Sequence, residues 1–186
     1  AVARLEDQRW RRLADAAAGS GWFVNWADFP ALAALADGTL AASFLERHGE
    51  GTYAYEVRIA LSGDGGASWS EPFRLHDDRL AAEHGFVSLE PLGGRFAAVW
   101  LDGRATAAGG PMALFARTID SGGTLGAELC LDERVCDCCQ TAGVAVGEAL
   151  VVAYRDRGAE ELRDIAWVTL EPGAWSGGAR PDARRR

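Results

Sequence analysis

Three cysteines fall within four residues, Cys136-Asp137-Cys138-Cys139. Thiols at that density bind metal ions, pair as disulfides or sit as buried free thiols. A metal site would draw on His84, Glu83 or Asp137 from a neighbouring part of the chain. A disulfide would join Cys136 or Cys138 to a cysteine outside this segment, or Cys130 to one of the cluster. On a strand, Cys136 and Cys138 would face one side and Cys139 the other. C-x-C-C lacks the paired C-x-x-C spacing of a structural zinc site, so no metal ligand and no cofactor is assigned. The second chemical signature is arginine interleaved with acid, in Trp100-Leu-Asp102-Gly-Arg104, in Tyr154-Arg155-Asp-Arg157 and in Arg163-Asp164. Arginine forks grip carboxylates bidentately. A carboxyl held among other acids has a raised pKa and can serve as a general acid.

Charge narrows the partners. The 19 cationic residues, all arginine, stand against 27 acidic ones, a net charge of −8. Non-specific nucleic-acid binding needs the opposite balance, because cations must displace the counterions of the phosphate backbone. The closing Arg184-Arg185-Arg186 reads as part of a solvated tail over 181–186. No apolar run reaches the ~18 residues of a membrane span. The best stretches, 31–44 and 142–154, are interrupted by Asp37, Gly38 and Glu148. The chain starts without Met, which leaves room for a removed leader, and the expected location is secreted or periplasmic.

The elements that must position these residues change period along the chain. Over 1–20, Val2, Leu5, Leu13 and Ala16 share one face of a helical wheel, and Arg4, Asp7, Gln8, Arg11 and Asp15 the other. This predicts a short N-terminal helix ended by Gly19-Ser20-Gly21. Beyond it, short aromatic and β-branched runs alternate with Gly, Asp, Ser and Pro clusters. Three segments repeat one plan of glycine turn, apolar strand and charged exit. They begin at Gly38, Gly94 and Gly147 and end at Arg47, Asp102 and Asp156. Each repeat holds four strand candidates: 22–35, 39–47, 53–61 and 72–75; then 86–92, 95–101, 112–119 and 125–131; then 141–146, 149–155 and 164–170, with a weak fourth after Trp175. Four antiparallel strands per ~50 residues is a β-propeller blade. The domain therefore reads as all-β, with three blades at about 21–77, 83–132 and 136–180.

The turn Ser62-Gly-Asp64-Gly-Gly66-Ala-Ser-Trp69 matches S-x-D-x-G-x-x-W at every fixed position. Ser62 and Asp64 oxygens can accept turn N–H groups, Gly66 can supply a positive φ, and Trp69 can cover the hairpin. This turn resembles the Asp-box of sialidase-like propellers. The stretches Trp22-Phe-Val-Asn25-Trp-Ala-Asp28-Phe-Pro30, Glu83-His84-Gly-Phe-Val-Ser-Leu89, Trp100–Arg104, Cys136-Asp-Cys-Cys-Gln140-Thr141 and Tyr154–Arg157 resemble a bacterial subgroup of the same family. The resemblance spans about 22–176 and implies about half of a six-bladed propeller. Open blade edges would then invite self-association.

Propeller topology gathers the polar residues. Strand-one entries and strand-two exits share a rim, and the Asp64 turn lies on the other face. The rim collects Asn25, Asp28, Glu83, His84, Asp137 and Gln140, with Asp102, Arg104, Arg155, Arg157, Arg163 and their neighbouring acids. Sialidases use an arginine triad for the substrate carboxylate, an acid/base Asp, and a Tyr nucleophile helped by a Glu. The resemblance therefore implies Arg104, Arg155, Arg157 and Arg163 as carboxylate binders, with Asn25, His84 and Gln140 beside them. It implies Asp28 or Asp102 as the acid and Glu83 as a supporting carboxylate. The matching place of the family's Arg-Ile-Pro, whose arginine belongs to the triad, reads Asp28-Phe29-Pro30 here. Two functions follow: a glycoside hydrolase acting on sialic-acid-like or other acidic sugars, or a non-catalytic propeller binding a glycan or a protein on the same rim.

Overall fold

The computed structural model describes residues 1–176 and the backbone of 182–184. The N-terminal segment is not the expected helix. It forms a two-stranded hairpin, β1 (Ala3–Glu6) and β2 (Arg9–Arg12), with Leu5 opposite Trp10. Asp7 and Gln8 form the turn with φ of 47° and 63°, the positive pair that a two-residue hairpin needs. A lone amphipathic stretch this short is marginal as a helix, and tertiary pairing decides instead. Leu13 N–H donates to Val2 C=O at 2.8 Å and Ala14 N–H to Gly66 C=O at 3.1 Å. The segment is thereby stitched onto the first blade.

Three four-stranded antiparallel sheets follow. The first is β3 (Ala31–Ala34), β4 (Leu40–Arg47), β5 (Tyr55–Ser62) and β6 (Phe73–Arg74). The second is β7 (His84–Leu92), β8 (Arg95–Asp102), β9 (Ala113–Ile119) and β10 (Leu129–Asp132). The third is β11 (Ala142–Val146), β12 (Ala149–Arg155), β13 (Ile165–Leu170) and β14 (Asp182–Arg184). Each sheet is a meander in chain order, as a blade requires. The repeat glycines Gly38, Gly94 and Gly147 all have positive φ in the β3–β4, β7–β8 and β11–β12 turns, where a Cβ would be strained. Two expectations shift. The stretch 22–30 is mostly loop, because it bridges to β4 only through Trp22 and Glu46. The fourth strand of the third sheet falls at 182–184, inside the expected tail; residues 177–181, 185 and 186 lie outside the described residues.

The middle sheet is apolar on both sides. Along β8, Phe96, Ala98 and Trp100 pack towards the first sheet, and Ala97, Val99 and Leu101 towards the third. The period of two along the strand assigns the two faces. The outer side of the third sheet leaves Val144, Val146 and Ile165 exposed.

The Asp64 turn closes between β5 and β6. Ser62 Oγ donates to Asp64 Oδ1 at 2.8 Å and accepts Gly66 N–H at 2.8 Å. Asp64 also accepts Ser68 N–H at 2.9 Å and Ser68 Oγ–H at 2.6 Å. These donors pull the Asp64 carboxyl down to about 2. The Asp120 turn of the second sheet accepts Gly122 and Thr124 N–H in the same manner. It lies beside Leu61 and Phe73 of the first sheet.

Candidate functional site

The loop entering β3 crosses the mouth between the first two blades. Phe23 stacks on Tyr55 at 3.8 Å and 12°, and Trp22 meets Phe44 edge-on at 4.9 Å. These anchors leave the tip free, and Trp26 is 90% exposed. Asn25 caps the tip by accepting Ala27 N–H at 3.2 Å. A cavity of about 680 Å³ opens below it. Asn25, Trp26, Tyr53, Glu83, Asp137 and Arg157 supply its polar and aromatic lining, so all three blades contribute.

Behind the wall lies a coupled set of acids. Tyr55 O–H donates to Glu83 Oε1 at 2.6 Å. Asp28 Oδ2 accepts Phe86 N–H at 2.8 Å, while Asp28 Oδ1 is buried with no partner. Burial pushes the Asp28 carboxyl up to about 6, against the Phe86 N–H bond and with the help of the Glu83 charge. Glu83 is raised as well, by burial first, although the Tyr55 bond works the other way. Tyr55 is raised by burial and by Glu83, so its phenol stays protonated at neutral pH. Gly85 makes this proximity possible: a Cβ there would lie 2.1 Å from Asp28 Oδ2 and 3.0 Å from the Tyr55 ring.

Three rim candidates are held elsewhere. His84, Asp102 and Arg104 form a buried network between the first two blades. The His84 ring stacks on His76 at 3.8 Å, and its Nε2 lies 3.0 Å from Asp78 Oδ2. Arg104 grips Asp102 with two 2.7 Å bonds, reaches Glu128 at 2.9 Å and covers the Phe115 ring at 4.3 Å. His84 and Asp102 are fully buried. Gln140 donates to Val87 C=O at 2.8 Å and ties the third blade to the second. Tyr154 is a core residue whose hydroxyl donates to Asp132 at 2.8 Å.

The arginines divide. Arg155 donates to Cys139 Sγ at 3.5 Å. Arg157 and Arg163 turn instead to Glu161, at 2.7 Å and 3.8 Å, and Arg134 contacts the other oxygen of the same carboxylate. Three guanidinium groups thus surround one carboxylate, which Arg157 first and then Arg134 hold below its ordinary pKa. Glu161 itself has φ 60°, a left-handed conformation uncommon outside glycine. Sequence reasoning missed Arg134, Tyr55 and Trp26. Arg134 precedes the cysteine cluster by only two residues, and Trp26 stands inside a motif already singled out, but neither spacing shows where a side chain points.

No family model and no curated protein matches the chain. Among solved structures, "Hadza microbial sialidase Hz136" superposes with a TM-score of 0.56 at 16% identity, over 84% of this chain and 37% of that one. A thermostable family-43 glycoside hydrolase superposes with a TM-score of 0.51 at 10% identity, over 81% of this chain and 53% of that one. Both are β-propeller enzymes. The fold is that of part of a β-propeller, shared with both structures. The propeller chain spans about a third to a half of the length of these neighbours. Among the described residues no helix is long and apolar enough to cross a membrane.

Proposed function

We propose that this chain is part of a glycoside-hydrolase propeller whose rim takes an acidic sugar. The observation that carries the reading is the convergence of Arg134, Arg157 and Arg163 on the Glu161 carboxylate. A site that surrounds one carboxylate with several guanidinium groups suits another of the same charge and shape. Glu161 lies on the loop after β12 and is half-exposed, so a ligand carboxylate can exchange with it. Arg157 links this cluster to the cavity, where Trp26 and Tyr53 offer exposed aromatic faces to a sugar ring.

Asp28 supports hydrolysis. With a pKa of about 6 it is half protonated near pH 6, with about a tenth still protonated at pH 7, and can act as a general acid under mildly acidic conditions. The Tyr55–Glu83 pair is the kind of couple in which a carboxylate takes the proton of an attacking phenol. One observation favours the second reading, a glycan-binding propeller without catalysis: Tyr55 and Asp28 are buried behind the cavity wall.

The test is calorimetric titration with sialic acid and with galactose, followed by hydrolysis of a chromogenic sialoside. Sialic acid binds and galactose does not. Arg157→Ala weakens binding about ten- to a hundredfold, the loss expected for one desolvated arginine–carboxylate contact. Arg157→Lys restores part of it, and Glu161→Gln tightens binding by removing the internal competitor. Hydrolysis abolished by Asp28→Asn assigns the acid; binding without hydrolysis assigns the lectin-like reading. Equal behaviour towards both sugars overturns the proposal.

A further inference from the structure

The cysteine cluster is not consumed by any of this. Cys136, Cys138 and Cys139 bring their sulfurs to 3.5, 3.9 and 3.9 Å of one another. Their loop is pinned at both ends by backbone and side-chain bonds to two blades. Val135 N–H donates to Met112 C=O and Cys136 N–H to Arg155 C=O, each at 2.9 Å. Thr141 Oγ1–H donates to Phe86 C=O at 2.8 Å. A triangle with these sulfur separations places each sulfur about 2.2 Å from its centre, close to the ~2.3 Å of a metal–thiolate bond. The sulfurs therefore already stand at the corners of a trigonal coordination site. A disulfide between the adjacent Cys138 and Cys139 would be unfavourable, because neighbouring Cα atoms are ~3.8 Å apart, below the usual disulfide range.

We propose that Cys136, Cys138 and Cys139 form a three-thiolate site for a soft metal ion, and that coordination number selects Cu(I). Among the described residues no histidine or carboxylate joins the cluster. Zinc on these three thiolates would need a water or other fourth ligand to complete its tetrahedron, whereas Cu(I) is satisfied by three soft ligands alone. Cys136 is buried and Cys138 exposed, which gives the ion a covered base and a route in. Arg155, donating to Cys139 Sγ, offsets the excess negative charge of three thiolates around a monovalent ion. Cys138 also lines the sugar-sized cavity, so the ion would sit at its wall. Loading replaces three S–H protons, released to solvent, by one Cu(I). No oxidation state changes.

The test uses the full chain, reduced and without oxygen, titrated with the acetonitrile complex of Cu(I) in competition with bathocuproine disulfonate. One Cu(I) per chain is retained, with a thiolate-to-copper charge-transfer band in the ultraviolet and three sulfur neighbours by X-ray absorption. Cys138→Ser, at an exposed position that leaves folding intact, weakens retention at least tenfold, roughly the least that loss of a ligand costs when loss of a mere supporting partner costs ten- to a hundredfold. Cys130→Ser leaves it unchanged. Complete removal of copper by the chelator overturns the proposal, and so does wild-type retention by Cys138→Ser. Displacement of the Cu(I) by an equal concentration of Zn(II) overturns the choice of ion. A count of fewer than four free thiols in the protein unfolded without reductant overturns the site in favour of a disulfide.

Discussion

Tyr55 and Glu83 belong to different blades, yet the Tyr55 hydroxyl donates to Glu83 Oε1 at 2.6 Å. The bond crosses the seam between the first and second sheets and places a phenol proton on a half-buried carboxylate at the cavity wall. Tyr55→Phe removes the donor to the Glu83 carboxylate and leaves the ring packing with Phe23 intact. We expect a loss of about 1.5–3 kcal/mol in urea unfolding, the range for hydrogen bonds to charged groups. The pKa of the Glu83 carboxyl should rise further, because the Tyr55 bond is the larger of the two influences that lower it, the other being the His84 charge.

Asp28 sets a pH dependence. Its folded pKa of about 6 lies above the value of an exposed aspartate. Between about pH 4 and pH 6 the folded protein therefore binds more protons than the unfolded chain, and stability falls as pH rises through this window. Above it the ionised carboxyl costs an upper limit of about 3 kcal/mol. Asp28→Asn should flatten that slope and raise the melting temperature at pH 7.5, measured by calorimetry across pH 4–8. An unchanged slope would place the proton elsewhere.

Arg104 is predicted to be structural. Its removal leaves the fully buried Asp102 carboxylate without its two-pronged partner. Arg104→Ala should cost about 3 kcal/mol, the low end for breaking a buried pair, because Arg104 itself keeps some exposure. Any sialic acid affinity of the folded variant should stay within about twofold of the parent, well below the tenfold step of 1.4 kcal/mol. A tenfold loss of affinity with unchanged stability would return Arg104 to the binding site.

The Asp64 turn should act on stability alone. Its carboxyl, held down to about 2, contributes stability above the unfolded pKa that disappears as pH falls through 2. Asp64→Ala should lower the melting temperature at pH 7 and leave sugar binding untouched, since the turn closes β5 and β6 away from the loops that form the cavity.

The sequence alone determines the blades. Glycine turns at Gly38, Gly94 and Gly147, apolar alternation along Phe96–Leu101 and the Ser62–Trp69 turn are local signals, because strand period and turn conformation depend on near neighbours. The N-terminal hairpin was hidden for the opposite reason. Its residues satisfy a helical wheel, and only the contact of Leu13 and Ala14 with the Gly66 turn selects the extended form. The site depends on pairs far apart in the chain. Propeller topology brings Asn25, Glu83 and Arg157 to one cavity, but their backbone placement leaves open which charge meets which. Arg104 turns to Asp102 and Glu128, while Arg134 joins Arg157 on Glu161. Tyr55 meets Glu83 28 residues away. A motif specifies residue types at fixed spacing, whereas a hydrogen bond is decided within a few tenths of an ångström by the packing of three sheets.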